Sequence, residues 1–85
     1  YALREEEMNI AGYQLMRAGK IKEAIAVFKL NVEEFPQSSN VHDSLGEAYM
    51  ANGDTELAVK NYEKSIELDP KNTNGMEILK KLKNK

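Results

Sequence analysis

Eighty-five residues suffice for one domain, and the 41% apolar and 31% charged content is that of an ordinary soluble globular chain. A formal net charge of −2 without a basic stripe argues against a nucleic-acid partner, and no apolar run approaches the roughly 18 residues of a membrane span. The absence of cysteine removes disulfides and thiolate metal sites and leaves the compartment open, with a cytoplasmic address favoured. The chain starts at Tyr1 rather than a methionine and reads as an excised or processed piece.

In chain order, the pattern predicts helices near 2–17, 20–34, 39–51, 55–68 and 74–83, and no segment alternates with strand period over a useful length. Gly19 stops the first helix and Pro36 terminates the second. In the third, Val41, Leu45, Ala48 and Tyr49 fall at spacings of three and four and share a face. Asn52-Gly53-Asp54 interrupts: Gly53 suits a left-handed C-terminal residue, and Asp54 is placed to cap the next helix, with Glu56 in its first turn. Leu57, Ala58, Tyr62 and Ile66 line that fourth helix, and Pro70 ends it. In the fifth, Met76, Ile78, Leu79 and Leu82 give an apolar face. Lys80, Lys81, Lys83 and Lys85 occupy the rest, and Asn74 with Glu77 is a candidate capping box.

The chain repeats itself. Gly12 and Gly46, Gly19 and Gly53, Ala24 and Ala58, Phe28 and Tyr62, and Pro36 and Pro70 are each 34 residues apart. Met16/Met50, Ile25/Val59 and Val32/Ile66 keep the same interval. A glycine at a helix crossing lets two backbones approach, and an aromatic ring opposite fills the space left. That gain offsets the roughly 1 kcal/mol of helix propensity that a glycine costs relative to alanine.

These landmarks over residues 5–70 resemble the tetratricopeptide repeat family of helix–turn–helix units. Counting units from Glu5 and Ser39, the small eighth slot holds Gly12 and Gly46, and the twentieth holds Ala24 and Ala58. The aromatic twenty-fourth slot holds Phe28 and Tyr62, and the thirty-second holds Pro36 and Pro70. Leu45 and Tyr49 match the seventh and eleventh slots, where unit one departs with Ala11 and Leu15. Asn31 and Ser65 stand where alanine is commoner in both units. The resemblance implies an all-α fold: a right-handed solenoid of two repeats, about 5–38 and 39–72, with a cap helix over 73–85, all within one domain. Two repeats plus a cap is short for a stack, so either a homodimer or a missing neighbour is expected to cover the N-terminal end.

The function the resemblance implies is non-catalytic binding of a protein or peptide on the concave side, lined by the first helix of each unit. The family's ligand-facing slots fall on Glu6, Asn9, Ile10, Tyr13, Met16 and Arg17, then on Asn40, Asp43, Ser44, Glu47, Met50 and Ala51, with Asn74, Glu77 and Ile78 in the partial third unit. Tyr13, Met16 and Met50 offer adaptable apolar contact, and Glu6, Asp43, Glu47 and Glu77 favour basic or amide groups. Chaperone-binding members clamp a C-terminal carboxylate with lysine, arginine and asparagine at set slots. Those slots hold Asn9, Tyr13, Ser44, Asn74 and Ile78 here, without a cation, so that clamp is not expected.

Chemistry has little to stand on. His42, Asp43 and Ser44 are neighbours on one helix, about 100° apart, and cannot form a relay; His42 is expected to pack. One histidine and no cysteine make no zinc set, and no GxxxxGKS/T phosphate loop exists, so no cofactor is expected. The run NVHDSLGEAYMANGDTELAVKNYEKSIELDP is similar to the C-terminal repeats of some bacterial serine hydrolases of the β-lactamase-related or esterase kind. By that likeness the piece is an accessory segment whose catalytic residues lie elsewhere, since neither SxxK nor GxSxG occurs in it. Self-association through exposed ends of the short stack is the other alternative.

Overall fold

The computed structural model describes residues 2–84. Among them it has five helices and no strand: α1 (Ala2–Arg17), α2 (Ile21–Glu34), α3 (Ser39–Ala51), α4 (Thr55–Leu68) and α5 (Thr73–Lys83). Lys85, counted above with the basic face of the last helix, lies outside the described residues.

Both turns within the units are built alike, and glycine is the reason. Gly19 and Gly53 have φ of 81° and 85°, where a Cβ is strained. At the first turn, Gly19 N–H donates to the Met16 carbonyl and Lys20 N–H to that of Leu15. At the second, Gly53 donates to Met50 and Asp54 to Tyr49. These paired bonds are the Schellman closure, which satisfies carbonyls the helix end would otherwise strand.

The start of the next helix departs from expectation. Asp54 holds the N-cap position of α4, but its carboxylate makes no bond to that helix; it accepts from Asn52 Nδ2 at 2.8 Å instead. For α5 the cap is Asn72 rather than Asn74: Asn72 Oδ1 accepts from Gly75 N–H at 3.0 Å. Asn72 serves better because α5 begins one residue earlier than the pattern indicates.

Each hairpin closes on a glycine and a ring. A Cβ built on Gly12 would lie 2.3 Å from Phe28 Cε1, and one on Gly46 would lie 3.1 Å from Tyr62 Cδ2 and Cε2. Phe28 and Tyr62 are fully buried, with Ala24 and Ala58 beside them and Ile25, Leu45, Ala48 and Tyr49 completing the core. Burial of such side chains stabilises by roughly 1.5–3 kcal/mol each.

The polar residues at the twenty-seventh slot have a structural use. Asn31 and Ser65 are both fully buried, and each donates to the first backbone carbonyl of its own unit: Asn31 Nδ2 to Glu5 O at 3.1 Å, Ser65 Oγ to Ser39 O at 2.9 Å. Ser39 Oγ returns a bond to Ser65 O at 2.9 Å. A polar side chain here ties the end of one helix to the start of its partner, which alanine cannot do.

Helix α5 packs on α4, and Ile78, Leu79 and Leu82 reach the core. Met76, expected with them, is 38% exposed, as is Leu57 on α4 at 42%. Lys83 pairs with Glu63 across the joint at 2.9 Å; both are about half exposed, so the pair contributes little. Lys80 stands at the slot of Gly12 and Gly46, one interval further along. The slot that meets an aromatic ring in both hairpins thus carries an exposed lysine in α5.

Candidate functional site

Helices α1 and α3 meet along a polar seam. The Tyr13 hydroxyl lies 3.0 Å from Glu47 Oε1 and 3.3 Å from Ser44 Oγ, and Ser44 Oγ donates to Asn9 Oδ1. Four residues assigned to the concave face are thus brought together: Asn9, Tyr13, Ser44 and Glu47. Tyr13 is also structural. Its ring meets Phe28 edge-on, with centroids 5.3 Å apart, and packs against the core.

Asp43 looks the other way along α3. It accepts from Asn72 Nδ2 at 2.8 Å, and Asn72 also reaches Ser65 Oγ at 3.0 Å. Ser39, Asn40, Asp43, Asp69 and Asn72 line a cleft of about 190 Å³ where α3, α4 and α5 converge. Asn72 went unnoticed in the sequence because it precedes the third unit; its position one interval after Ser38 is the signal that marks it. Ser38 plays a related part, donating from Oγ to Glu5 Oε2 at 2.8 Å.

The remaining candidates are more open. Ile10 is 57% exposed and Met50 39%. Glu6, Arg17, Asn40, Ala51, Asn74 and Glu77 are exposed, while Met16 and Ile78 pack against the core. Glu77 is not joined to the α1–α3 seam; with Lys80, Lys81 and Asn84 it borders a shallow open depression along α5. Lys81 is the ninth slot of the third unit, equivalent to Tyr13 and Glu47, and counting on by one interval finds it.

His42 is buried with Nε2 2.9 Å from the Pro36 carbonyl, which gives it a packing role with one polar anchor. Its neighbours Asp43 and Ser44 bond to Asn72 and Asn9, so the three side chains have separate partners. Among the described residues no group of three or more acidic, histidine or cysteine side chains is arranged to hold a metal ion.

Burial, reinforced by the Glu47 carboxylate and opposed by the Ser44 hydrogen bond, pushes the Tyr13 phenol from 10.0 up to about 12. Tyr62 is raised in the same sense, by burial first and then by the charges of Asp43 and Glu47. In the unfolded chain both lose their protons near pH 10, while the folded chain holds on to them. Stability is thus full below pH 10 and falls as the pH climbs towards 12, by up to roughly 1.4 kcal/mol per pH unit for each tyrosine. Urea unfolding across that window should show the decline, and Tyr62→Phe should flatten it. The same change removes a buried hydroxyl that has no partner, so stability at neutral pH is expected to rise by about 1 kcal/mol. A steeper alkaline decline in Tyr62→Phe would contradict this account.

A stack of hairpins closed by glycine, alanine and an aromatic ring at one interval has a counterpart among known repeats. Residues 44–72 match the tetratricopeptide repeat family. With five helices and no strand among the described residues, the fold is the tetratricopeptide-type all-α repeat solenoid. The chain is 34% identical over 62 residues to mouse superkiller complex protein 3 and 34% identical over 59 residues to the human protein of that name. The matched stretches cover 73% and 69% of this chain but 4% of each relative, so the chain spans a small fraction of the relatives' length. Neither relative is named as a serine hydrolase, and the expected likeness to hydrolase-appended repeats gains no support from them. Tetratricopeptide repeats generally mediate protein–protein interaction. No helix among the described residues is long and apolar enough to cross a membrane.

Proposed function

We propose that residues 1–85 act as one tetratricopeptide domain, with units 5–38 and 39–72 and a cap over 73–85, that binds a protein or peptide segment along its concave face without catalysis. One observation carries this reading. The apolar side chains of Ile10 and Met50 stand exposed beside a polar seam, Asn9–Ser44–Tyr13–Glu47, that is held in place by its own hydrogen bonds. Exposed apolar groups next to pre-positioned polar ones are what a partner can cover at low ordering cost. The relatives are named as proteins of a complex, which supports a protein partner here as well.

A peptide library panned on the immobilised chain, with the selected peptides then mapped by backbone amide NMR shifts, tests the reading. The expected result is shifts concentrated in 9–17 and 43–51, with binding weakened about tenfold by Ile10→Ser together with Met50→Ser. Tyr13 is unsuitable for truncation because it supports Phe28. Selected peptides that map to the outer surfaces of α2 and α4 would refute it. The self-association alternative predicts a molar mass in light scattering that rises with concentration; a constant monomer mass removes it.

A further inference from the structure

The sequence holds two Asn-Gly pairs, Asn52-Gly53 and Asn74-Gly75. An asparagine before glycine is the most open of its kind to self-attack, because no side chain on the next residue hinders approach of its backbone nitrogen to the asparagine amide. The other asparagines are each followed by a side chain, as at Ile10, Val32, Val41, Tyr62 and Thr73. The fold treats the two pairs differently.

Asn52 and Gly53 are both exposed in the turn between α3 and α4, and a Cβ on Gly53 would meet nothing within 4 Å. The Gly53 nitrogen is held by its bond to the Met50 carbonyl at 3.1 Å. Attack requires that bond to open and the Asn52 backbone to turn from its ψ of −3°. Both events are confined to a helix end, where local opening is easiest. The Asn52 side chain is held by one exposed bond, from Nδ2 to Asp54 Oδ2 at 2.8 Å. Asn74, by contrast, lies in the first turn of α5, and Gly75 beside it is buried. The Gly75 amide donates to Asn72 Oδ1 at 3.0 Å, and Asn72 is in turn tied to Asp43 and Ser65. Freeing that nitrogen means undoing the joint of α3, α4 and α5. Nor does the turn geometry need asparagine: the matching turn of the first unit has Ala18 in the slot of Asn52 and the same pair of closing bonds.

We propose that Asn52 is a site of spontaneous deamidation that loosens the α3–α4 turn, and that the fold shields Asn74 from the same reaction. The Gly53 nitrogen gives up its proton and attacks Asn52 Cγ. The N–Cγ bond forms, the Cγ–Nδ2 bond breaks, and Nδ2 leaves as ammonia with the proton. Water then opens the cyclic imide at either carbonyl, giving aspartate or isoaspartate. Either product takes a donor from Asp54 and sets a second carboxylate beside it, at the C-terminal end of α3 where an anion is disfavoured. Isoaspartate also adds a methylene to the backbone that the Gly53 and Asp54 bonds close.

The test keeps the full chain in native buffer at mildly alkaline pH, where loss of the amide proton speeds attack, and in urea alongside. Digestion and mass spectrometry follow each asparagine, and enzymatic methylation reads isoaspartate. In native buffer Asn52 is expected to convert about tenfold faster than Asn74, and in urea the two rates should come together. Equal rates in native buffer, or an Asn52 that stays intact there while urea converts it, would overturn the proposal. Asn52→Ala, which copies Ala18, should fold and lose most of the isoaspartate signal; a signal of parental size would overturn the assignment. If that variant fails to fold, the comparison of native buffer with urea on the parent chain still decides. Asn52→Asp, one of the two products, should melt below the parent, and by less in high salt. An unchanged melt would overturn the loosening of the turn.

Discussion

Gly12→Ala is expected to destabilise the protein by about 2 kcal/mol, whereas Gly46→Ala should change stability by less than about 1 kcal/mol in either direction. Both substitutions gain helix propensity, roughly 1 kcal/mol. The difference lies in what the added methyl meets. At Gly12 it would be 2.3 Å from a Phe28 ring atom and within 2.8 Å of two more, so the ring must move by an ångström or more. Phe28 is fully buried and held edge-on by Tyr13, which leaves it nowhere to go without opening the core. At Gly46 the Tyr62 ring is 3.1 Å away, and a shift of a few tenths of an ångström relieves it. For a domain of this size the Gly12 effect corresponds to a melting temperature lower by roughly 8–16 °C. Gly12→Ala combined with Phe28→Leu should recover part of the loss, because the smaller side chain vacates the space. Equal effects of the two glycine substitutions, measured by urea unfolding, would rule out the packing asymmetry.

Ending the chain after Asn72 is expected to remove cooperative unfolding at 25 °C. Without α5, the surface that Ile78, Leu79 and Leu82 cover is left to water, at a cost of about 3 kcal/mol if each contributes half of a full burial. The joint that Asn72 makes with Asp43, Ser65 and Gly75 is loosened as well. Small domains hold about 5 kcal/mol in all, and a repeat array needs a polar end to stay soluble. Circular dichroism should show a broad, shallow melt and a hydrophobic dye should bind. Lys81→Gln, which changes an exposed charge without uncovering the core, should melt like the parent. A truncated chain that melts within a few degrees of the parent would mean that the two hairpins stand alone.

Much of this architecture was legible because it rests on backbone-level requirements. Glycine at positive φ, glycine under a ring and proline after a helix leave marks at fixed positions, and an interval of 34 carries them from one unit to the next. What stayed hidden depends on where side chains turn. Asp54 sits at a cap position yet bonds to Asn52, and Asn72 caps α5 while also reaching two other helices. Leu57 and Met76 match an apolar pattern and still face water, since a helical face read from spacing is uncertain by about one residue, or 100°. The proposed binding face was drawn from the sequence as a set of slots, and its division into bonded and exposed residues was not visible there. Hydrogen bonds between α1 and α3 separate a seam that supports the fold from exposed residues such as Ile10 and Met50.

The lysine at the glycine slot of α5 bears on where an added hairpin can be inserted. A longer array made by duplicating residues 39–72 has to receive its new hairpin ahead of Thr73, where the small-residue crossing continues. A hairpin fused after α5 would have to set an aromatic ring against Lys80 and would have no socket there.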